Sequence, residues 1–142
     1  MVLKILILFL MIVCLLNLRS PYLSAQGVEL DETQAVRAII GEASGEGLQG
    51  MTAVAEAIRN RGHLRGVYGT NARHVDTEPR WVWELAREAW VNSRVTNLVK
   101  GADHWENTKA FGEPYWAKSM VKTAQVGSHS FYRAETRKGD EG

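Results

Sequence analysis

Two segments of helical apolar periodicity are separated by Gly41-Glu42-Ala43-Ser44-Gly45-Glu46-Gly47, too glycine-dense for one helix to run through it cheaply. Upstream, Ala35, Val36, Ile39, Ile40 and Ala43 keep one apolar face, and Asp31 with Gln34 three residues on makes a capping-box start. The spacing predicts a helix from Glu32 to Ala43. Downstream, Met51, Val54, Ala55 and Ile58 repeat at i, i+3, i+4 and i+7, predicting a second helix from Leu48 to Arg61. The break therefore holds two carboxylates, Glu42 and Glu46, where two helices meet.

Gly41 and Ala43 flank Glu42 with little side chain, which leaves room for a bulky ligand. A carboxyl shielded from water there could hold its proton to higher pH and give it to a leaving oxygen, as glycoside cleavage requires. The plainer alternative is a solvated glutamate at a helix end. Glu46 has an ordinary explanation as an acid early in the second helix, favoured by the helix dipole.

The chain has 142 residues, room for one domain. Its apolar run from Ile5 to Leu16, between Lys4 and Arg19, is about twelve residues long, whereas a spanning helix needs about 20. Residues 1–25 therefore read as a secretory signal peptide cleaved after Ala25, and residues 26–142 as the exported domain, secreted, periplasmic or associated with the cell wall. An uncleaved tether is the alternative and would be the only membrane contact. The single cysteine, Cys14, lies in that run, so the domain must rely on its core and not on disulfides. Without Lys4 and Arg19, basic residues fall by two from 17, against 16 acidic. This balance gives no basic surface for nucleic acid.

Gly62 and the 66–70 region break periodicity, and residues 63–75 read as loop. Pro79 opens a third helix with Trp81, Val82, Leu85, Ala86, Ala89 and Trp90 on one face and Trp83 on another. Trp81 and Trp90 are expected in the core. Residues 93–100 read as a connection, residues 101–107 as a short strand, and residues 115–120 as a brief helix. Val126-Gly127-Ser128-His129 reads as a hairpin turn, and residues 137–142 as a polar tail. His104, Tyr115, Trp116 and Tyr132 are aromatics with polar edges, suited to stacking on sugars and bonding acetamido groups. The alternative is packing against the first helix, favoured for Trp116 and Phe131. His63, His74, His104 and His129 show no ligand spacing on one element, so neither metal nor cofactor is expected.

Two blocks resemble the cell-wall hydrolases typified by the spore cortex-lytic enzyme SleB. The first runs from Gly41 through Gly47 and Gly50-Met51-Thr52-Ala53-Val54-Ala55 to Ile58-Arg59-Asn60-Arg61. The second combines Gly101-Ala102-Asp103-His104-Trp105, Pro114-Tyr115-Trp116-Ala117-Lys118-Ser119-Met120 and Val126-Gly127-Ser128-His129-Ser130-Phe131-Tyr132-Arg133. The resemblance implies an α+β, mainly helical, lysozyme-like single domain with a small antiparallel sheet. It further implies a monomer acting on peptidoglycan glycan strands, with Glu42 as catalytic acid and Glu46, His104, Tyr115, Trp116 and Tyr132 in binding or supporting roles. Residues 62–100 depart from the pattern: the Pro-Gly-Gln-Phe type segment is missing and a Trp-rich helix replaces it, so subsites built there are not carried over. A lytic transglycosylase is the leading expectation. The alternatives are a water-using muramidase with Glu46 or Asp103 as second carboxylate, and a wall-binding module without catalysis.

Overall fold

The computed structural model describes residues 30–135. The signal segment with its cleavage site and Cys14, and the polar tail, lie outside the described residues.

Helix α1 covers Glu32–Ala43, and the Asp31 carboxylate accepts the N–H groups of Thr33 at 2.8 Å and Gln34 at 3.3 Å. The cap expected from sequence thus satisfies donors that the first helical turn would leave open. Ala35, Val36, Ala38, Ile39, Ile40 and Ala43 are all buried. Helix α2, Gly47–Arg61, begins a residue earlier than its periodicity predicts and ends at Gly62. It buries every residue from Gly50 to Ile58, more than a one-sided stripe, because α1, the helix over residues 80–92 and the sheet all pack on it. The run of alanine and glycine around Met51 lets them approach closely.

Helix α3 is Arg80–Asn92, opened by Pro79, and buries Val82, Ala86, Ala89 and Trp90. Trp90 sits in the core as expected, with the Arg59 guanidinium 3.5 Å from its ring centroid. The expectation for Trp81 is corrected, since that side chain is 61% exposed. Trp83 packs against the core in its place, between Arg37 and Arg87, each 5.9 Å from its ring. The reason is geometric: Trp83 precedes Ala86 by three residues and Trp90 by seven, so it belongs to the buried stripe, while Trp81 falls at its edge.

Residues 63–79 hold more structure than a loop. Two 3-10 turns, Tyr68–Asn71 and Arg73–Thr77, lie across α1, fastened by the Arg37–Asp76 ion pair at 2.7 Å. The C-terminal third forms an antiparallel sheet of β1 (His104–Glu106), β2 (Met120–Val126) and β3 (His129–Ala134), in the order β1-β3-β2. The register pairs His104 with Tyr132, Trp105 with Phe131 and Val126 with His129, and the hairpin turns at Gly127-Ser128 as expected. A short helix α4 (Thr108–Phe111) and a 3-10 turn (Tyr115–Ser119) link β1 to β2. The chain is mainly helical with a small antiparallel sheet, an α+β arrangement. Among the described residues no helix is long and apolar enough to cross a membrane.

One buried acid holds the connection between α3 and β1. Glu56, 4% exposed, accepts the backbone N–H of Leu98 at 3.0 Å and of Val99 at 2.9 Å. Nothing in the helical periodicity sets this residue apart from a surface glutamate. Glu56→Ala strands both amides away from water and is expected to cost about 2–4 kcal/mol, with Glu56→Gln losing less. Urea unfolding midpoints measured on both variants check this.

Candidate functional site

Gly41 in α1 packs directly on the backbone of Gly69. A Cβ on Gly41 would overlap the Gly69 carbonyl, and one on Gly69 would lie 2.7 Å from Glu42 Cγ and 2.8 Å from Glu42 Oε1. Both positions therefore need glycine. With no side chain between them, Gly69 N–H donates to Glu42 Oε1 at 2.7 Å. From the opposite side Trp105 Nε1–H, on β1, donates to Glu42 Oε2 at 3.3 Å. The carboxyl is held between the 3-10 turn and the sheet, and each oxygen keeps a lone pair for a further partner.

Glu42 lines a groove of about 280 Å³. Residues 66–68 form one wall, His104, Trp105, Glu106 and Trp116 the other, and Arg61 at the end of α2 completes it. Its cross-wall aromatics are Tyr68, 87% exposed, and Trp116, 37% exposed. Two broad rings and a carboxyl lining one groove suit a ligand with flat apolar faces and polar edges, such as a sugar chain.

The residues expected around Glu42 separate into distinct roles. His104 lines the groove, its Nδ1 2.7 Å from Asp103 Oδ1, and its ring is 5.7 Å from that of Trp116. Trp116 packs on His104 and Tyr132. Tyr132 is 1% exposed, so the expectation that it faces a ligand is corrected. As the β3 partner of His104 it lies beneath Trp116 at 5.3 Å and donates its hydroxyl to Glu113 at 3.3 Å. Burial raises its phenol above the ordinary 10.0, which keeps it a donor. Tyr115 stands outside the groove lining, 86% exposed with Lys118 over its ring.

Glu46 does not share a helical face with Glu42, because α1 ends at Ala43 and the chain turns before Gly47. Its Oε2 instead accepts Ser128 N–H at 3.0 Å, and its Oε1 is 4.0 Å from His129 Nδ1. Gly127, at φ +56°, leaves space for that carboxylate, which a Cβ there would strike. Burial opposes the Glu46 charge, but the Ser128 hydrogen bonds, His129 and Lys109 outweigh it and bring the carboxyl below its ordinary 4.5. Glu46 thus supports the site by pinning the hairpin to the start of α2.

Several residues at the site have no role assigned from sequence, among them Tyr68 and Glu106 in the groove lining and Gly69 bonded to Glu42. Tyr68 and Gly69 lay in a stretch that reads as loop, although Gly41 inside an apolar helix face is the signal of a close backbone approach. Glu106, beside His104 and Trp105, accepts the N–H of Asn107 with Oε1 at 2.9 Å and is a second carboxylate on the groove. Among the described residues no set of three His, Cys, Asp or Glu side chains could hold a metal ion. Comparison of the chain with protein-family models, curated proteins and solved structures finds no match to any of them.

His129 gives the site a pH signature. Burial pushes its imidazole below the ordinary 6.5, opposed by Glu46, Glu42 and Glu106. The unfolded chain then binds this proton more readily than the native one. The stability that neutral His129 contributes is complete above 6.5 and is lost as pH falls towards the native value. Glu46, shifted down, loses its contribution only below 4.5. Denaturant midpoints should fall as pH drops from neutrality through 6.5, and His129→Gln should flatten that decline while leaving the one below 4.5 in place. NMR titration of Glu46→Gln should show the His129 pKa moved lower still, because an attraction for the charged imidazole is removed.

Proposed function

We propose that the chain is an exported peptidoglycan-cleaving enzyme of lysozyme-like fold that acts as a lytic transglycosylase on the bond between N-acetylmuramic acid and N-acetylglucosamine. The observation that carries this reading is the Glu42 carboxyl, fixed by Gly69 and Trp105 and lining a groove rich in aromatic side chains. The resemblance of the two sequence blocks to cell-wall hydrolases points the same way.

In this mechanism protonated Glu42 gives its proton to the glycosidic oxygen and the bond to the muramic acid C1 breaks. The Glu42 carboxylate then takes the proton of the sugar's own 6-hydroxyl, whose oxygen bonds to C1 and closes a 1,6-anhydro ring. No water is consumed, and the acid is regenerated. Negative charge appearing on Glu42 is met by the Gly69 and Trp105 donors already in place, while positive charge developing at C1 is met by the Glu42 carboxylate itself.

A water-using muramidase is the second reading, and Glu106 is the observation that favours it. The second carboxylates considered from sequence, Glu46 and Asp103, do not line the groove. Glu106 lines the groove itself and is the group able to activate water there.

Glu42→Gln should lower the clearing of a purified wall suspension by about 10²–10⁴-fold while leaving wall binding in place. Equal binding and no clearing by either protein would show a binding module instead. Mass spectrometry of the products separates the two enzymes, since anhydro ends are lighter by one water. The transglycosylase reading expects anhydro products and substantial activity in Glu106→Gln. The muramidase reading expects hydrated ends and loss of activity in that variant.

A further inference from the structure

Resting on the wall-cleaving reading, we infer that Arg61 is a carboxylate-binding residue of the groove, which makes the preferred substrate a glycan strand bearing acidic substituents and not a neutral one such as chitin. Arg61 closes α2, where a cation complements the helix dipole, but that role does not require the guanidinium to reach the groove. It does reach it, lining the same trough as Glu42 and Trp116. The Gly66 backbone lies against it, close enough that a Cβ there would sit 3.3 Å from Nη2, and the Trp105 ring centroid is 6.0 Å from Cζ.

Among the described residues Arg61 makes neither an ion pair nor a side-chain hydrogen bond. The other partly buried arginines have hydrogen-bond partners: Arg37 in Asp76 and Thr70, Arg59 in Ser93 and Trp90, and Arg133 in the Ala134 carbonyl. Arg61 is therefore a planar fork of donors, braced by an aromatic ring and a glycine, open on the side where ligand must lie. That geometry fits bidentate carboxylate recognition. Glu42 and Glu106 on the same groove disfavour a doubly charged phosphate, while a single carboxylate matches the one cation. On a wall strand this chemistry comes from two sources: the free carboxylates of the stem peptide, or the lactyl carboxylate of muramic acid exposed when the stem is removed.

The experiment measures sedimentation of the protein with insoluble sacculi in a Glu42→Gln background, comparing Arg61 with Arg61→Gln and Arg61→Lys. The sacculi are untreated, stripped of stem peptides by an amidase, or converted to carboxyl amides. With Arg61 present, binding to amidated sacculi should be about 10- to 100-fold weaker than to untreated ones. Arg61→Gln should bind both at the weaker level, and Arg61→Lys should fall between. Tight binding to stripped sacculi assigns the lactyl carboxylate, and weak binding assigns the stem. Thermal melts identify a variant that has lost its fold, in which case Arg61→Lys decides. A folded Gln variant, or failing it the Lys variant, that equals Arg61 on untreated sacculi overturns the inference while the wall-cleaving reading stands. Absence of both binding and clearing on every wall preparation by the protein with Glu42 and Arg61 intact overturns the two together.

Discussion

The contact between Gly41 and Gly69 is the constraint on which the site depends. A helix can bring its backbone against a 3-10 turn only where neither carries a side chain, and the overlap a Cβ would produce at either position shows how little slack remains. Glu42, the next residue, then meets Gly69 N–H without reaching for it. The same carboxyl accepts from Trp105, so the placement of β1, and with it the groove's second wall, is tied to the first helix. Four residues on, Glu46 repeats the device with Ser128 and fixes the β2–β3 turn. The glycine-rich break between α1 and α2 is a junction from which two carboxylates reach separate parts of the fold.

Much of this is legible in the sequence, and the reason is local. The Asp31 cap, the end of α1 at Ala43, the periodicity of α2, Pro79 before α3 and the Gly127-Ser128 turn each express a preference that a few neighbouring residues decide. Glu42 stands out for the same reason, as an acid among small residues. What local pattern could not supply is the identity of distant partners. Glu56 looks like any helical glutamate until Leu98 and Val99 fold over it. Residues 66–69 lack periodicity, so nothing near them announces a groove wall. Tyr132 has the chemistry of a ligand-facing residue, yet its pairing with His104 places it under Trp116. Trp81 and Trp83 exchange expected places because the buried stripe of α3 is set by which face meets α1 and α2.

Glu42, Glu46 and Glu56 each accept a backbone amide from a residue distant in sequence, and accessibility separates these three. Glu56 is sealed between α2 and the connection before β1, with both oxygens filled by amides. Glu46 is largely covered and engaged with the hairpin turn. Glu42 alone of the three lines a groove, with a second lone pair open on each oxygen. An acid that must hand a proton to an incoming group has to meet it, so the first two are structural by position whatever their chemistry.

The hydrogen bonds to Glu42 bear on how such an acid would work. The Gly69 and Trp105 donors bond more strongly to a carboxylate than to a carboxylic acid, so their contribution grows as the proton leaves. An interaction that strengthens along the reaction coordinate lowers the barrier, whereas one of constant strength only tightens binding. In the proposed mechanism the fixed donors stabilise the charge that the proton's departure creates. This needs the donors aligned beforehand, which returns the burden to the glycine pair that sets the Gly69 amide against the carboxyl.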